Sequence, residues 1–181
     1  MHLRLIAALL VLPGGAYAQQ PPPPPAVAAP APAPPPGCAA AEHRQFDFWV
    51  GEWQVTDSTG TRVLGSNAIT QEESGCVLRE RWTGAGGGTG QSMNFYDRRT
   101  GQWHQVWVAS GGGVLRLSGG LDGNSMVLEG DGVSPAGAPI RNRIAWTPQP
   151  DGRVRQLWST SADSGRTWRA GFDGWYARRA P

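Results

Sequence analysis

Beyond Ala41 the chain never runs far without a glycine-bearing reversal, and no stretch carries the apolar spacing of three to four residues that a useful helix needs. Short strands are the only regular structure left to it. Runs rich in Val, Ile, Thr, Trp and Tyr predict strands near residues 48–57, 61–71, 77–83, 92–97, 103–109, 114–118, 125–129, 140–147, 153–160 and 169–178. Asp122-Gly123 and Asp151-Gly152 fall between two such runs, where glycine supplies the positive φ of a two-residue hairpin turn. Thr59-Gly60, Thr100-Gly101 and Ser164-Gly165 read as further reversals. About ten strands joined this way form a meander, which rids itself of exposed edges by closing on itself. The expected fold is therefore all-β, an antiparallel up-and-down β-barrel of about ten strands, with a two-sheet sandwich as the alternative.

The first residues belong to no fold. Arg4 precedes the apolar run Leu5 to Leu12, Pro13-Gly14 breaks it, and Ala16-Tyr17-Ala18 has the small-x-small pattern of a signal-peptidase site. Residues 1–18 read as a secretory signal, and the run is too short for the roughly 20 residues a membrane helix requires. From Pro21 to Pro36 the chain is almost only Pro and Ala, so 19–41 reads as an extended linker and 42–181 as the folded domain. Cys38 lies far beyond the apolar run, which argues against lipid attachment. The expected location is periplasmic or secreted, with no membrane span.

Every one of the 16 basic residues is arginine, so lysine chemistry of any kind is excluded. Without Arg4 the charges nearly cancel against 14 acidic residues, and no basic face for nucleic acid is implied. The two cysteines, Cys38 and Cys76, would meet an oxidising compartment, where pairing is the default; the pair would pin the linker to the domain. The chain lacks G-x-S-x-G, H-E-x-x-H, C-x-x-C and zinc-like spacings, so no catalytic residue, metal or cofactor is expected.

Alternation along the strands selects an interior. Ile140, Asn142, Ile144 and Trp146 oppose Arg141 and Arg143; Val154, Gln156, Trp158 and Thr160 oppose Arg153 and Arg155; Leu78, Glu80 and Trp82 oppose Arg79 and Arg81. The lumen is thus aromatic with scattered polar groups. Residues expected to meet a ligand are Glu80, Trp82, Asn94, Tyr96, Gln105, Trp107, Asn142, Trp146, Gln156 and Trp158, a set suited to a small amphiphilic or aromatic molecule. A buried Glu80 needs a partner, an amide or an arginine such as Arg116. Glu72 and Glu73 are adjacent, point to opposite faces and read as solvated. The glycine-rich stretch 84–90 has no following helix to hold a phosphate and reads as a loop at a barrel mouth.

The segment Phe46-Asp47-Phe48-Trp49-Val50-Gly51-Glu52-Trp53 contains a G-x-W that resembles the signature of the calycin barrels, the lipocalins and fatty-acid-binding proteins. The resemblance implies a short helical turn before the first strand and a Trp53 plug packed on an arginine of the last strand, Arg178 or Arg179, with Gly51 structural. Together with Gly75 to Trp82 and Trp103 to Val108, the stretch 42–179 also resembles a family of exported bacterial domains of unknown function. In haem-binding calycin barrels a histidine is the iron ligand, but that ligand motif does not map onto His104, whose face alternation leaves open. Ser161-Ala-Asp163-Ser-Gly165-Arg-Thr167-Trp168 matches the Asp-box, similar to a rigid hairpin in propellers; a single copy here reads as a hairpin staple.

The sequence thus predicts an exported carrier or sensor with a ligand pocket in a lipocalin-like barrel. The alternatives are a calycin-type enzyme using Glu80 as acid or base, or a ligand-free interaction module of the cell envelope. Nothing in the sequence sets the oligomeric state.

Overall fold

A computed structural model describes residues 37–179. The signal segment and residues 19–36 of the expected linker lie outside the described residues. Ten antiparallel strands follow one another around a closed barrel: β1 (Gly51–Thr56), β2 (Val63–Glu72), β3 (Val77–Gly84), β4 (Thr89–Asp97), β5 (Gln102–Ala109), β6 (Val114–Asp122), β7 (Ser125–Val133), β8 (Pro139–Pro148), β9 (Val154–Ser161) and β10 (Arg169–Arg178). Each strand pairs with its neighbours in sequence, and β1 closes the barrel on β10 with Trp53 opposite Arg178 and Thr56 opposite Trp175. The first strand begins later than its sequence suggests. Residues 47–49 form a 3-10 turn, which breaks the extended run that 48–57 would have made.

This topology gives the barrel two unlike ends. The end where β1 begins is closed by two 3-10 turns, Ala41–Arg44 and Asp47–Trp49. Phe46 and Trp49 are fully buried there, their rings stacked at 4.9 Å, and the Phe46 ring meets Trp103 at 5.6 Å and Trp146 at 5.1 Å. Aromatic pairs of this kind contribute about 0.5–1.5 kcal/mol each beyond the area they bury. Gly37 to Ala41, expected as linker, pack on the same end. The sulfurs of Cys38 and Cys76 are at disulfide distance with Cα atoms 5.0 Å apart, and Arg98 donates to the Gly37 carbonyl.

His43 precedes the first strand, yet only 4% of it is exposed. Its Nε2 accepts from Arg98 Nε at 3.1 Å and its ring meets Tyr96 edge-on. Burial, then the Arg98 charge, hold its pKa below the usual value, so the ring is neutral.

The G-x-W closes this end. Trp53 Nε1 donates to the Trp49 carbonyl at 2.8 Å, and the Arg178 guanidinium covers the Trp53 ring at 4.4 Å. Arg179 does not take this place; its backbone N–H donates to Glu52. Gly51 has φ +142°, so the glycine is required by conformation, and the Arg178 guanidinium lies 2.2 Å from where a Cβ would stand.

The exterior carries the arginines. Glu129 pairs with Arg141 and Arg143, Asp173 accepts two hydrogen bonds from Arg155, and Arg153 lies over Trp175. Glu72, expected as solvated, accepts from Arg79 at 2.8 Å, while Glu73 leaves the strand in a left-handed conformation at φ 51°. Between β9 and β10 the Asp-box segment is a stapled hairpin. Asp163 accepts from the Thr167 N–H, the Thr167 hydroxyl and the Ser161 hydroxyl, which hold its pKa down at about 2. Trp168 packs beneath, with Arg143 over its ring at 4.5 Å.

Candidate functional site

Odd-numbered strands run from the closed end to the opposite one, so the loops 57–62, 85–88, 110–113, 134–138 and 162–168 surround a mouth. The glycine-rich stretch after β3 is one of these loops. Inside the mouth a vestibule of about 1030 Å³ is bounded by loop residues, Ile140, Asn142 and the inner indoles. It shares Trp82, Trp107, Leu115 and Trp158 with a deeper chamber of about 230 Å³.

The chamber wall is aromatic because small residues beside it let large rings lie along the sheet. A Cβ on Gly90 would stand 2.1 Å from the Trp107 ring, and one on Gly65 would stand 2.7 Å from the Trp82 ring. Glycine within a strand, which weakens the sheet, here gives each indole a bed. The Trp82 ring meets Phe172 edge-on at 6.0 Å, and Trp158 Nε1 donates to Asn142 Oδ1 at 3.1 Å, which fixes the third indole. Leu115 and Ile144 complete the apolar part.

Polar side chains on the chamber's inner side and directly behind it form one connected chain of hydrogen bonds. Glu80 on β3 stands directly opposite Ser92 on β4, and the Ser92 hydroxyl donates to Glu80 Oε2 at 2.6 Å. Asn67 on β2 is diagonal to Glu80 and donates from Nδ2 to Oε1 at 2.7 Å. The same Nδ2 lies 3.3 Å from the Tyr176 hydroxyl, which in turn donates to Gln156 Oε1. On the other side Asn94 donates to Ser92 at 2.8 Å and accepts from Gln105 at 2.9 Å. The chain therefore spans β2, β3, β4, β5, β9 and β10.

Glu80 is the charge at the centre of this chain, and every donor to it is neutral. Burial raises its pKa to about 7 against the opposing pull of the Ser92 and Asn67 hydrogen bonds. Tyr176 is pushed well above its usual value by burial and then by the neighbouring Glu80. The Asn67 Oδ1 is buried and has no hydrogen-bond partner among the described residues. A half-turn of that amide brings this oxygen to Glu80, where a protonated carboxyl can donate to it.

The structure separates the residues that the sequence grouped. Glu80, Trp82, Gln105, Trp107, Gln156 and Trp158 line the chamber. Asn142 lines the vestibule, and Asn94 lies fully buried behind the chamber in the hydrogen-bonded chain. Tyr96 and Trp146 do not reach the chamber: both face inward but lie toward the closed end, against His43 and Trp103 for Tyr96 and against Phe46 and Trp49 for Trp146. Arg116 is exposed and does not partner Glu80. His104 faces outward, stacked on Phe95 and 3.2 Å from the Thr100 hydroxyl, with Trp103, Gln105 and Trp107 on the inner face.

Sequence reasoning missed Asn67, Ser92 and Tyr176 and the apolar wall residues Leu115 and Phe172, and it placed Ile144 in the interior without counting it among the ligand contacts. Register supplied what alternation did not, because Ser92 and Asn67 become partners of Glu80 only through cross-strand pairing. The barrel is compatible with the calycin resemblance. The sequence matches no family model and no curated protein.

Proposed function

We propose that this chain is an exported carrier or sensor that takes one small molecule into the barrel chamber. The observation that carries the reading is a chamber of about 230 Å³, open to the vestibule, with three indoles on its wall and a hydrogen-bonded polar chain at its inner side. Apolar pockets with a few convergent polar groups are how small ligands are held and oriented. The volume lies below the roughly 300–1,000 Å³ of pockets for drug-sized ligands, so the ligand is small or extends into the vestibule. A cysteine pair at disulfide distance agrees with an oxidising compartment, and no helix among the described residues is long and apolar enough to cross a membrane.

The test is the mass of the chain exported to a bacterial periplasm, recorded under native and denaturing conditions. A discrete excess mass that is lost on denaturation is expected. Equal masses, with no small molecule released, would count against the carrier and toward a surface interaction role.

One observation favours a second reading. A carboxyl on a chamber wall with its pKa at about 7 is poised as a general acid or base. Under that reading Glu80→Gln abolishes turnover of a compound found in the chamber, whereas in a carrier it changes affinity alone.

A further inference from the structure

We infer that the chamber selects an organic cation, a small aryl- or alkylammonium whose charged head sits against Glu80 and the surrounding rings. The inference rests on the carrier reading and narrows it to a ligand class. Its basis is a charge without a counter-charge. Glu80 is 4% exposed and, among the described residues, receives hydrogen bonds only from Ser92 and Asn67. No arginine lines the chamber or the vestibule, and the chain contains no lysine. Among the described residues that line the chamber and the vestibule, Glu80 is the only carboxylate, and Tyr176 is the only other titratable group.

A buried carboxylate is costly unless it is paired, and the folded chain offers it dipoles but no ion. Each carboxylate oxygen holds one protein donor, and a carboxylate has about four acceptor sites, which leaves room for an ammonium N–H. The neighbouring surfaces suit the same head group. Trp82, Trp107, Trp158 and Phe172 line the chamber, and aromatic rings attract cations most strongly where water is excluded. The polar chain adds a neutral pair of contacts, since Gln105 spends its amide N–H on Asn94 and Gln156 spends its carbonyl on Tyr176. The Gln105 carbonyl and the Gln156 N–H are left for a ligand. A carboxylate or phosphate ligand would meet Glu80 with no cation to receive it.

Three probes of similar shape separate the charges: phenethylamine, 2-phenylethanol and 3-phenylpropanoate, each titrated into the disulfide-bonded chain at pH 8 by calorimetry. Phenethylamine is expected to bind roughly tenfold or more tighter than the alcohol, with the propanoate weakest. Glu80→Gln is expected to bring the amine and the alcohol to similar affinities. An alcohol that binds as tightly as the amine, or a propanoate that does, overturns the inference and leaves the carrier reading standing. A variant that folds and keeps the amine preference also overturns it. If the variant fails to fold, the order of the three probes on the unaltered chain decides alone. Absence of binding by all three overturns the cation inference, while the native-mass experiment judges the carrier separately.

Discussion

Arg178 lies across the face of Trp53, its guanidinium carbon 4.4 Å from the ring centroid, and its Nη1 donates to the Val50 carbonyl at 3.0 Å. The last strand thereby locks the turn that leads into the first, where a barrel would otherwise open between its termini. Gly51 makes the contact possible because the guanidinium fills the space of its absent Cβ.

Gly51→Ala is therefore expected to lower stability by about 2–3 kcal/mol, through backbone strain and displacement of the arginine. Arg178→Ala is expected to cost about 1–2 kcal/mol through the lost cation–π and hydrogen-bond contacts. In the double variant the new Cβ has room, so the two losses should sum to more than the measured total. Urea unfolding of the three variants checks this. Strictly additive losses would show that the guanidinium does not occupy the glycine's space.

Glu80 sets a pH dependence of the opposite sign to that of most carboxylates. Its folded pKa of about 7 lies above the ordinary 4.5, so the folded chain holds a proton that the unfolded chain has released between those values. Its contribution to stability is full below about pH 4.5, falls as pH rises toward 7, and is level above that. The loss is about 3 kcal/mol, from roughly 1.4 kcal/mol per pKa unit. Tyr176, the other titratable group facing it, stays protonated throughout this range. The stability of Glu80→Gln relative to the unaltered chain should therefore rise by about this amount between pH 4.5 and 8. A difference that does not change with pH would show that the carboxyl is not desolvated.

The disulfide joins residues 38 positions apart and ties the segment before the barrel to the turn between β2 and β3. Closing a loop of that length in the unfolded chain is worth about 3–4 kcal/mol. Cys38→Ser should show this loss in its urea midpoint, and dithiothreitol should bring the unaltered chain to the same midpoint. A midpoint indifferent to reductant would mean that the thiols are unpaired in the protein.

Much of this architecture is legible in the sequence because each strand is bounded by its own glycine reversal, and alternation assigns faces correctly on β3, β8 and β9. Depth is not legible by the same signal. Tyr96 and Trp146 face inward as alternation requires, yet a strand of nine or ten residues spans about 30 Å, and these two lie toward the plugged end rather than at the chamber. His43 precedes the first strand, where local sequence gives no reason to expect burial, and only the folded-back turns place it under Tyr96. Asn67 sits between Ser66 and Ala68 with no local mark of a site, and its role appears only when β2 is set beside β3. The isolated glycines of β2 and β4 are a second local hint of the chamber wall beside the alternating tryptophans, since a glycine inside a strand marks a close approach.

Gly90 tests that hint most directly. It is buried on β4, paired with Trp82 on one side and Ala109 on the other, and the nearest atoms to its absent Cβ all belong to the Trp107 ring. Gly90→Ala must move that ring, since real Cβ atoms do not approach to 2.1 Å. The indole swings into the chamber or toward the mouth, and overpacking of this kind costs about 1–3 kcal/mol. A loss in that range by urea unfolding is expected, together with at least a tenfold loss of phenethylamine affinity. Trp107→Leu in the same chain should recover most of the stability, because the smaller side chain leaves the space that the new methyl needs. Gly90→Ala with unchanged stability and affinity would mean that the indole does not lie over Gly90, and the aromatic wall would have to be placed elsewhere in the lumen.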